Sequence, residues 1–259
     1  MTIDVLAVGL LAVILLQLAA WGLSLAKRDA SVADPVWGLC FVLIAWVAVS
    51  RSQSPAAGEW LVAAMVTLWG LRLSGYLIYR NWGHGEDHRY AAMRDKHGGW
   101  FPLISLATVF GLQAALAWII ALPLQVGMVE PDAIGPLTLL GAAVWAVGLA
   151  VESTADLQLA RFKADPSHQG QVMDRGLWRY SRHPNYFGEF VLWWGIYLAA
   201  AESGSWWWTI IGPLTISVLL LKVSGVTLLE KSLSQRLDAY GDYARRTSAF
   251  VPWPPKNSP

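Results

Sequence analysis

Residues 5–26 read VLAVGLLAVILLQLAAWGLSLA, a run without one charged side chain. A helix rises about 1.5 Å per residue, so a run of this length reaches across the roughly 30 Å hydrocarbon core of a bilayer. No basic stretch precedes it and no small-residue cleavage context follows a short apolar core, so it reads as a retained span. The rest of the chain agrees, with 55% of its 259 residues apolar and 14% charged, where a soluble domain carries about a quarter charged. The sequence therefore predicts an all-α integral membrane protein.

Working outward, apolar segments fall near residues 3–26, 35–50, 57–80, 101–122, 134–155, 187–202 and 206–228, each close to the ~20 residues that cross a bilayer. Seven transmembrane helices are expected. Lys and Arg collect in cytoplasmic loops, and here they follow the first, third, fifth and seventh segments: Lys27 and Arg28, then Arg80 to Lys96, then Arg161 to Arg182, then Lys231 to Lys256. Only Arg51 falls on the other side. The N-terminus is thus expected outside and the C-terminus in the cytoplasm, with residues 1–259 forming one integral domain.

A formal net charge of +1 offers no field for nucleic acid. The lone cysteine, Cys40, cannot close an intrachain disulfide and lies in an apolar run. Many of the tryptophans, Trp82, Trp100 and Trp206 to Trp208 among them, sit at segment ends, where the ring suits the headgroup region.

Chemistry is left to three polar constellations. The first runs from Glu152 and Asp156, one turn apart at the end of the fifth segment, through Lys163 to GLWRYSRHPNYFGEF (176–190). That stretch crowds Arg179, Tyr180, Arg182, His183, Asn185, Tyr186 and Glu189 into the mouth of an apolar segment. Pro184 suits the first turn of a helix and keeps His183 extended, so backbone donors open toward an anionic group such as phosphate. An ordinary basic loop explains the arginines equally well, but not Asn185 and Glu189 continuing into the span.

The second constellation is RLSGYLIYRNWGHGEDHRY (72–90). Arg72, Tyr76 and Tyr79 share one stripe of the third segment, and an intramembrane Arg marks either a function or a buried ion pair, with Asp34 of DPVWG (34–38) as the obvious partner. His84 and His88 flank Glu86 and Asp87, but five histidines in the whole chain argue against an iron oxygenase, and no metal is expected. The third constellation is the tail, where Glu230, Lys231, Arg236, Tyr240, Tyr243, Arg245 and Arg246 precede FVPWPP (250–255). Its cations either rest among lipid headgroups or close over an anionic cofactor.

GLWRYSRHPNYFGEF resembles the signature of the steroid 5α-reductase superfamily, in particular its bacterial branch of uncharacterised membrane proteins. Similarity extends through DPVWG, LWGLRLSGYLIYR, GEDHRY, ADLQLARFK and LLEKSL. The resemblance implies seven transmembrane helices and NADPH-dependent reduction of a carbon–carbon double bond conjugated to a carbonyl. It places Asn185 and Glu189 on the nicotinamide half of NADPH, with Tyr180, Arg182, His183 and Tyr186 nearby. Asp156 and Lys163 would meet the adenosine and phosphates, and Arg179, Lys231, Arg236 and Tyr243 complete a cofactor half spanning roughly 134–259. Tyr76 matches the tyrosine that binds the substrate carbonyl, while Asp34, assisted by Arg72, matches its acidic partner loosely. Gln171 and Ser232 stand where the animal enzymes carry basic cofactor contacts.

The implied reaction is reduction of a lipophilic enone, a 3-oxo-Δ4 steroid first among candidates, in a bacterial inner membrane with the site open to the cytoplasm. Membrane lipid is the expected surrounding, and no obligate protein partner is evident. The rival is an S-adenosylmethionine-dependent membrane methyltransferase of the isoprenylcysteine carboxyl type, which shares RHPxYxG. Those enzymes tend to pair glutamates near the tail, where Lys231 follows Glu230 here.

Overall fold

A computed structural model describes residues 2–128, 133–203, 207–223, 226, 230, 233, 237 and 239–256. Helices dominate it, and among the described residues the only β pairing is an isolated bridge between Ser181 and Ser248. Five helical segments are long and apolar enough to cross a membrane: Thr2–Lys27, Ala30–Arg51, Ala57–Asn81, His88–Ile120 and Pro136–Ala164. The sixth and seventh expected spans correspond to two shorter apolar helices, Pro184–Ala199 and Trp207–Val223. The chain is an integral membrane protein by this measure. It divides into two compact units, Met1–Leu139 with Ile196–Gly212 and Leu140–Gly195 with Pro213–Pro259.

The first unit is built on α1 (Thr2–Lys27), α2 (Ala33–Arg51) and α3 (Ala57–Asn81). Lipid provides no hydrophobic drive between helices, so close approach depends on small residues. A Cβ on Gly70 would lie 2.8 Å from the Gly38 carbonyl oxygen, and one on Gly38 would lie 2.7 Å from that of Gly70. These two glycines let α2 and α3 touch backbone to backbone. Next come α4 (His88–His97) and α5 (Phe101–Ser105), the latter passing through a π-helical stretch, Leu106–Gly111, into α6 (Leu112–Ile120) and then α7 (Leu122–Gly127).

A closed polar network ties this unit's loops together. Glu86 accepts the Ala30 backbone N–H at 2.8 Å and both Nε and Nη2 of Arg94 at 2.9 and 2.8 Å. The Arg94 guanidinium holds the Glu86 carboxyl below its usual range. Asp87 caps α4 by accepting from the Arg89 N–H, and its own N–H donates to Ser31 Oγ at 2.7 Å. GEDHRY is thus a staple that fastens the α3–α4 connection to the turn between α1 and α2.

The second unit is organised by α8 (Pro136–Ala164, from Leu140 onward) and α9 (Pro184–Ala199, as far as Gly195). Their seam is glycine on both sides. A Cβ on Gly188 would sit 2.5 Å from the Glu152 amide nitrogen, and one on Gly195 would sit 2.4 Å from that of Trp145. A Cβ on Gly148 would in turn sit 2.4 Å from the Leu192 nitrogen. This contact sets Glu152 and Asp156 of α8 against the first turns of α9. The unit also holds α10 (Ile211–Val218, from Pro213 onward) and the short α11 (Tyr240–Arg246).

Candidate functional site

Three local devices position the 176–190 segment. Gly176 adopts φ +58°, the left-handed region, and its turn lets the Leu177 N–H donate to Gln158 Oε1 at 3.0 Å. Trp178 donates its indole N–H to the Ala155 carbonyl at 3.1 Å. Ser181 Oγ accepts the His183 N–H at 3.1 Å and donates to the Phe250 carbonyl at 2.7 Å.

The proline-rich tail is a strap as well as a helix stop. Arg182 N–H donates to the Ser248 carbonyl at 2.8 Å, Trp253 N–H to that of Tyr180 at 2.9 Å, and Lys256 N–H to that of Arg246 at 2.9 Å. Phe250 seats the strap by packing edge-on against Phe187 and Phe190, with centroids 5.8 and 5.6 Å away. Prolines at positions 252, 254 and 255 donate nothing, so the hydrogen bonds fall on the residues between and beside them.

Within this frame α9 begins. Asn185 Nδ2 donates to Asp156 Oδ1 at 3.2 Å, which aims its amide, and Asp156 and Glu152 are buried at 4% and 2% exposure. Arg182 is committed to Glu230, with Nε at 2.8 Å and Nη2 at 2.7 Å from Oε1, and it also donates to the Ala244 and Thr247 carbonyls. His183 is 2% exposed and stacks parallel on Tyr186 at 5.7 Å. Burial pushes its pKa down to about 4 in spite of Glu230, whose Oε1 lies 3.4 Å from Nε2, so the imidazole is neutral near pH 7. Tyr243 donates to the Trp178 carbonyl at 2.6 Å, and burial pushes the neighbouring Tyr240 phenol up to about 12.

Two buried polar atoms in this cluster, Asn185 Oδ1 and Tyr240 Oη, make no hydrogen bond among the described residues, while His183 Nε2 has Glu230 Oε1 as its neighbour at 3.4 Å. A native interior satisfies nearly all such groups, through protein, water or a ligand. The structure therefore brings Asp156, Arg182, His183, Asn185, Tyr186 and Tyr243 into one half. Glu189 lies one turn beyond Asn185 on α9, Lys163 is exposed near the end of α8, and Arg179 and Tyr180 are exposed beside the strap. Lys231 and Arg236 lie outside the described residues. Glu230, read from sequence only as part of the basic tail, proves to be the acid behind Arg182 and His183.

In the first unit Arg72 and Tyr76 are brought together, the guanidinium carbon standing 5.8 Å from the ring centroid. Tyr79, expected on the same stripe, is 72% exposed. Asp34 is given to other groups: it accepts from Tyr90 Oη at 2.7 Å and from Arg89 Nη2 at 2.9 Å, and Arg80 stands 3.9 Å away. The α4 staple, whose contacts span more than fifty residues, thus reaches the acid that the sequence pairs with Arg72 and Tyr76. His84 lies within 2.9 Å of the Trp82 carbonyl, and among the described residues no three His, Cys, Asp or Glu side chains gather as a metal set.

Residues 20–247 match the family described as protein of unknown function (DUF1295). The chain belongs to that family. It is also similar to the uncharacterized protein C594.04c of Schizosaccharomyces pombe, at 25% identity over 274 residues that cover 95% of this chain and 79% of the yeast protein. No solved structure matches the chain. With a fungal relative among its matches, the resemblance is not confined to bacterial proteins.

Proposed function

We propose that this DUF1295 protein is an integral membrane reductase of the steroid 5α-reductase type. It would use NADPH to reduce the carbon–carbon double bond of a lipophilic enone, with a 3-oxo-Δ4 steroid as the first substrate to try. The observation that carries the reading is the buried Asn185 Oδ1 at the start of α9, without a partner among the described residues on an amide aimed by Asp156, beside the buried neutral imidazole of His183. A neutral imidazole and an amide oxygen suit a carboxamide such as that of nicotinamide, which both donates and accepts. Seven spans, an outside N-terminus and a cytoplasmic C-terminus in a bacterial inner membrane complete the proposal.

NADPH, when bound, supplies the hydride that the β-carbon receives. Asp156 would hold the Asn185 amide, Arg182 would fix the loop through Glu230, and Glu189 would face the same ligand. At the substrate end, hydride addition puts negative charge on the carbonyl oxygen, and the α-carbon then takes a proton from water. Tyr76 would donate a hydrogen bond to that oxygen, and Arg72, whose charge lies over the phenol ring, would offset the charge as it develops. Asp34, already engaged by Tyr90 and Arg89, is assigned to position α4 against α2.

The test is NADPH oxidation by the purified protein with enones of increasing lipophilicity. Tyr76→Phe is expected to lower turnover about a hundredfold with little change in NADPH affinity, as when one transition-state hydrogen bond is lost. Equal turnover in the variant removes Tyr76 from the chemistry. Methyl transfer from S-adenosylmethionine, with no response to NADPH, replaces the reductase reading by the methyltransferase one.

A further inference from the structure

A second feature of the same unit lies outside the start of α9. Between the 174–179 segment and the strap lies a cleft of about 630 Å³, lined by Asp174, Arg175, Gly176, Arg179, Arg246, Thr247, Pro255 and Lys256. That volume falls within the range of small-molecule sites. Three arginines and a lysine face one aspartate there. Asp174 is already taken, 2.6 Å from Arg246 Nη2.

Two other arginines of the unit are matched, Arg182 by Glu230 and Arg245 by Asp242. Arg175, Arg179 and Lys256 are different: each is exposed, and among the described residues none of the three makes an ion pair. Two ordering devices bring them together. The left-handed Gly176 sets the turn between Arg175 and Arg179, and the bond from the Lys256 N–H to the Arg246 carbonyl brings the end of the strap to the cleft. Gathering like charges on ordered backbone is unfavourable without a counter-charge.

We propose that this cleft is a binding site for a phosphate-bearing anion. Arginine forks match phosphate oxygens two at a time, and the lysine adds a point charge. The site stands whether or not the chain is a reductase. The phosphate has two possible carriers, a soluble nucleotide entering from the cytoplasm or an anionic lipid headgroup at the membrane surface, where the exposed rings of Trp253 and Tyr180 flank the strap.

The experiment uses the full-length protein in nonionic detergent and the triple variant Arg175→Gln, Arg179→Gln, Lys256→Gln, whose exposed substitutions relieve like-charge repulsion and are expected to leave the unliganded thermal midpoint at or above that of the wild type. The probes are inorganic pyrophosphate, NADPH against NADH, and nanodiscs of phosphatidylglycerol against phosphatidylcholine. Pyrophosphate is expected to bind the wild type at least tenfold more tightly than the triple variant, with the advantage shrinking as salt rises. A preference for NADPH over NADH that the triple variant loses assigns the phosphate to a nucleotide. A stabilisation by phosphatidylglycerol that it loses assigns it to lipid. Pyrophosphate binding without any NADPH binding keeps the cleft and removes the reductase reading. Identical responses of wild type and triple variant to every probe overturn the proposal.

Discussion

Two polar clusters, one in each unit, are built from the same residue types and differ in how completely they are satisfied. In the first unit Glu86, Arg94, Asp34, Tyr90, Arg89, Asp87 and Ser31 answer one another, and a backbone N–H is drawn in as well. The second unit's cluster has matched members, Arg182 with Glu230 and Asn185 with Asp156, but it also leaves Asn185 Oδ1 and Tyr240 Oη unanswered among the described residues. A closed network of this kind holds loops in place. An open one, with buried groups whose desolvation costs about 1–3 kcal/mol each when unmatched, is what the proposed ligand would complete.

The severest way to break the comparison is to remove the frame of the open cluster. Gly188→Leu would put a side chain where a Cβ alone already lies 2.5 Å from the Glu152 nitrogen. Backbone on that side cannot withdraw as a side-chain tip would, so the cost should exceed about 3 kcal/mol. The expected outcome is aggregated protein in size-exclusion chromatography; a monodisperse variant with normal ligand response would show that the α8–α9 seam does not position the site.

A smaller and more discriminating change falls on the closed cluster. Glu86→Ala strands Arg94 and the Ala30 N–H and should lower stability by about 1–3 kcal/mol. A thermal melt in detergent should register that loss while ligand affinity stays at the wild-type level. If affinity falls and the melt does not, the cluster is more than a staple.

The remaining effect is one of pH, and it appears only in acid. His183 has a folded pKa of about 4, below the ordinary 6.5, because it is buried. The unfolded chain therefore takes up a proton first as pH falls, and stability present above pH 6.5 is lost progressively down to about 4, by at most ~1.4 kcal/mol per pH unit. His183→Gln should flatten the acid limb of a plot of melting temperature against pH. An unchanged slope would place the acid sensitivity elsewhere.

How much of this was legible in the sequence depends on the range of the contacts. Long charge-free runs such as 5–26 announce their helices, because membrane crossing is a local property of composition. Pro184 and the Asn185–Glu189 spacing announce the start of α9 for the same reason. GEDHRY gave no local clue to its role, since its partners Ala30, Ser31 and Asp34 lie more than fifty residues away along the chain.

The assignment of Asp34 to Tyr90, and of Arg182 to Glu230, was beyond reach on the same ground. Two features of the sequence do carry local signals. Gly141 and Gly148 on α8, and Gly188 and Gly195 on α9, recur at intervals of seven, the mark of a close helix seam. The tail's FVPWPP is a second, because its spaced prolines suit an extended strap as well as a helix stop.

The central claim is that the open cluster at the start of α9 receives NADPH. The most direct measurement is the thermal shift that NADPH produces in the wild type, in Asn185→Ala and in Glu86→Ala, since a ligand that binds the folded state stabilises it by mass action. The account predicts a shift in the wild type that survives in Glu86→Ala, on its lower baseline, and is lost from Asn185→Ala. A wild type indifferent to NADPH, or an Asn185→Ala protein that responds as the wild type does, would contradict it.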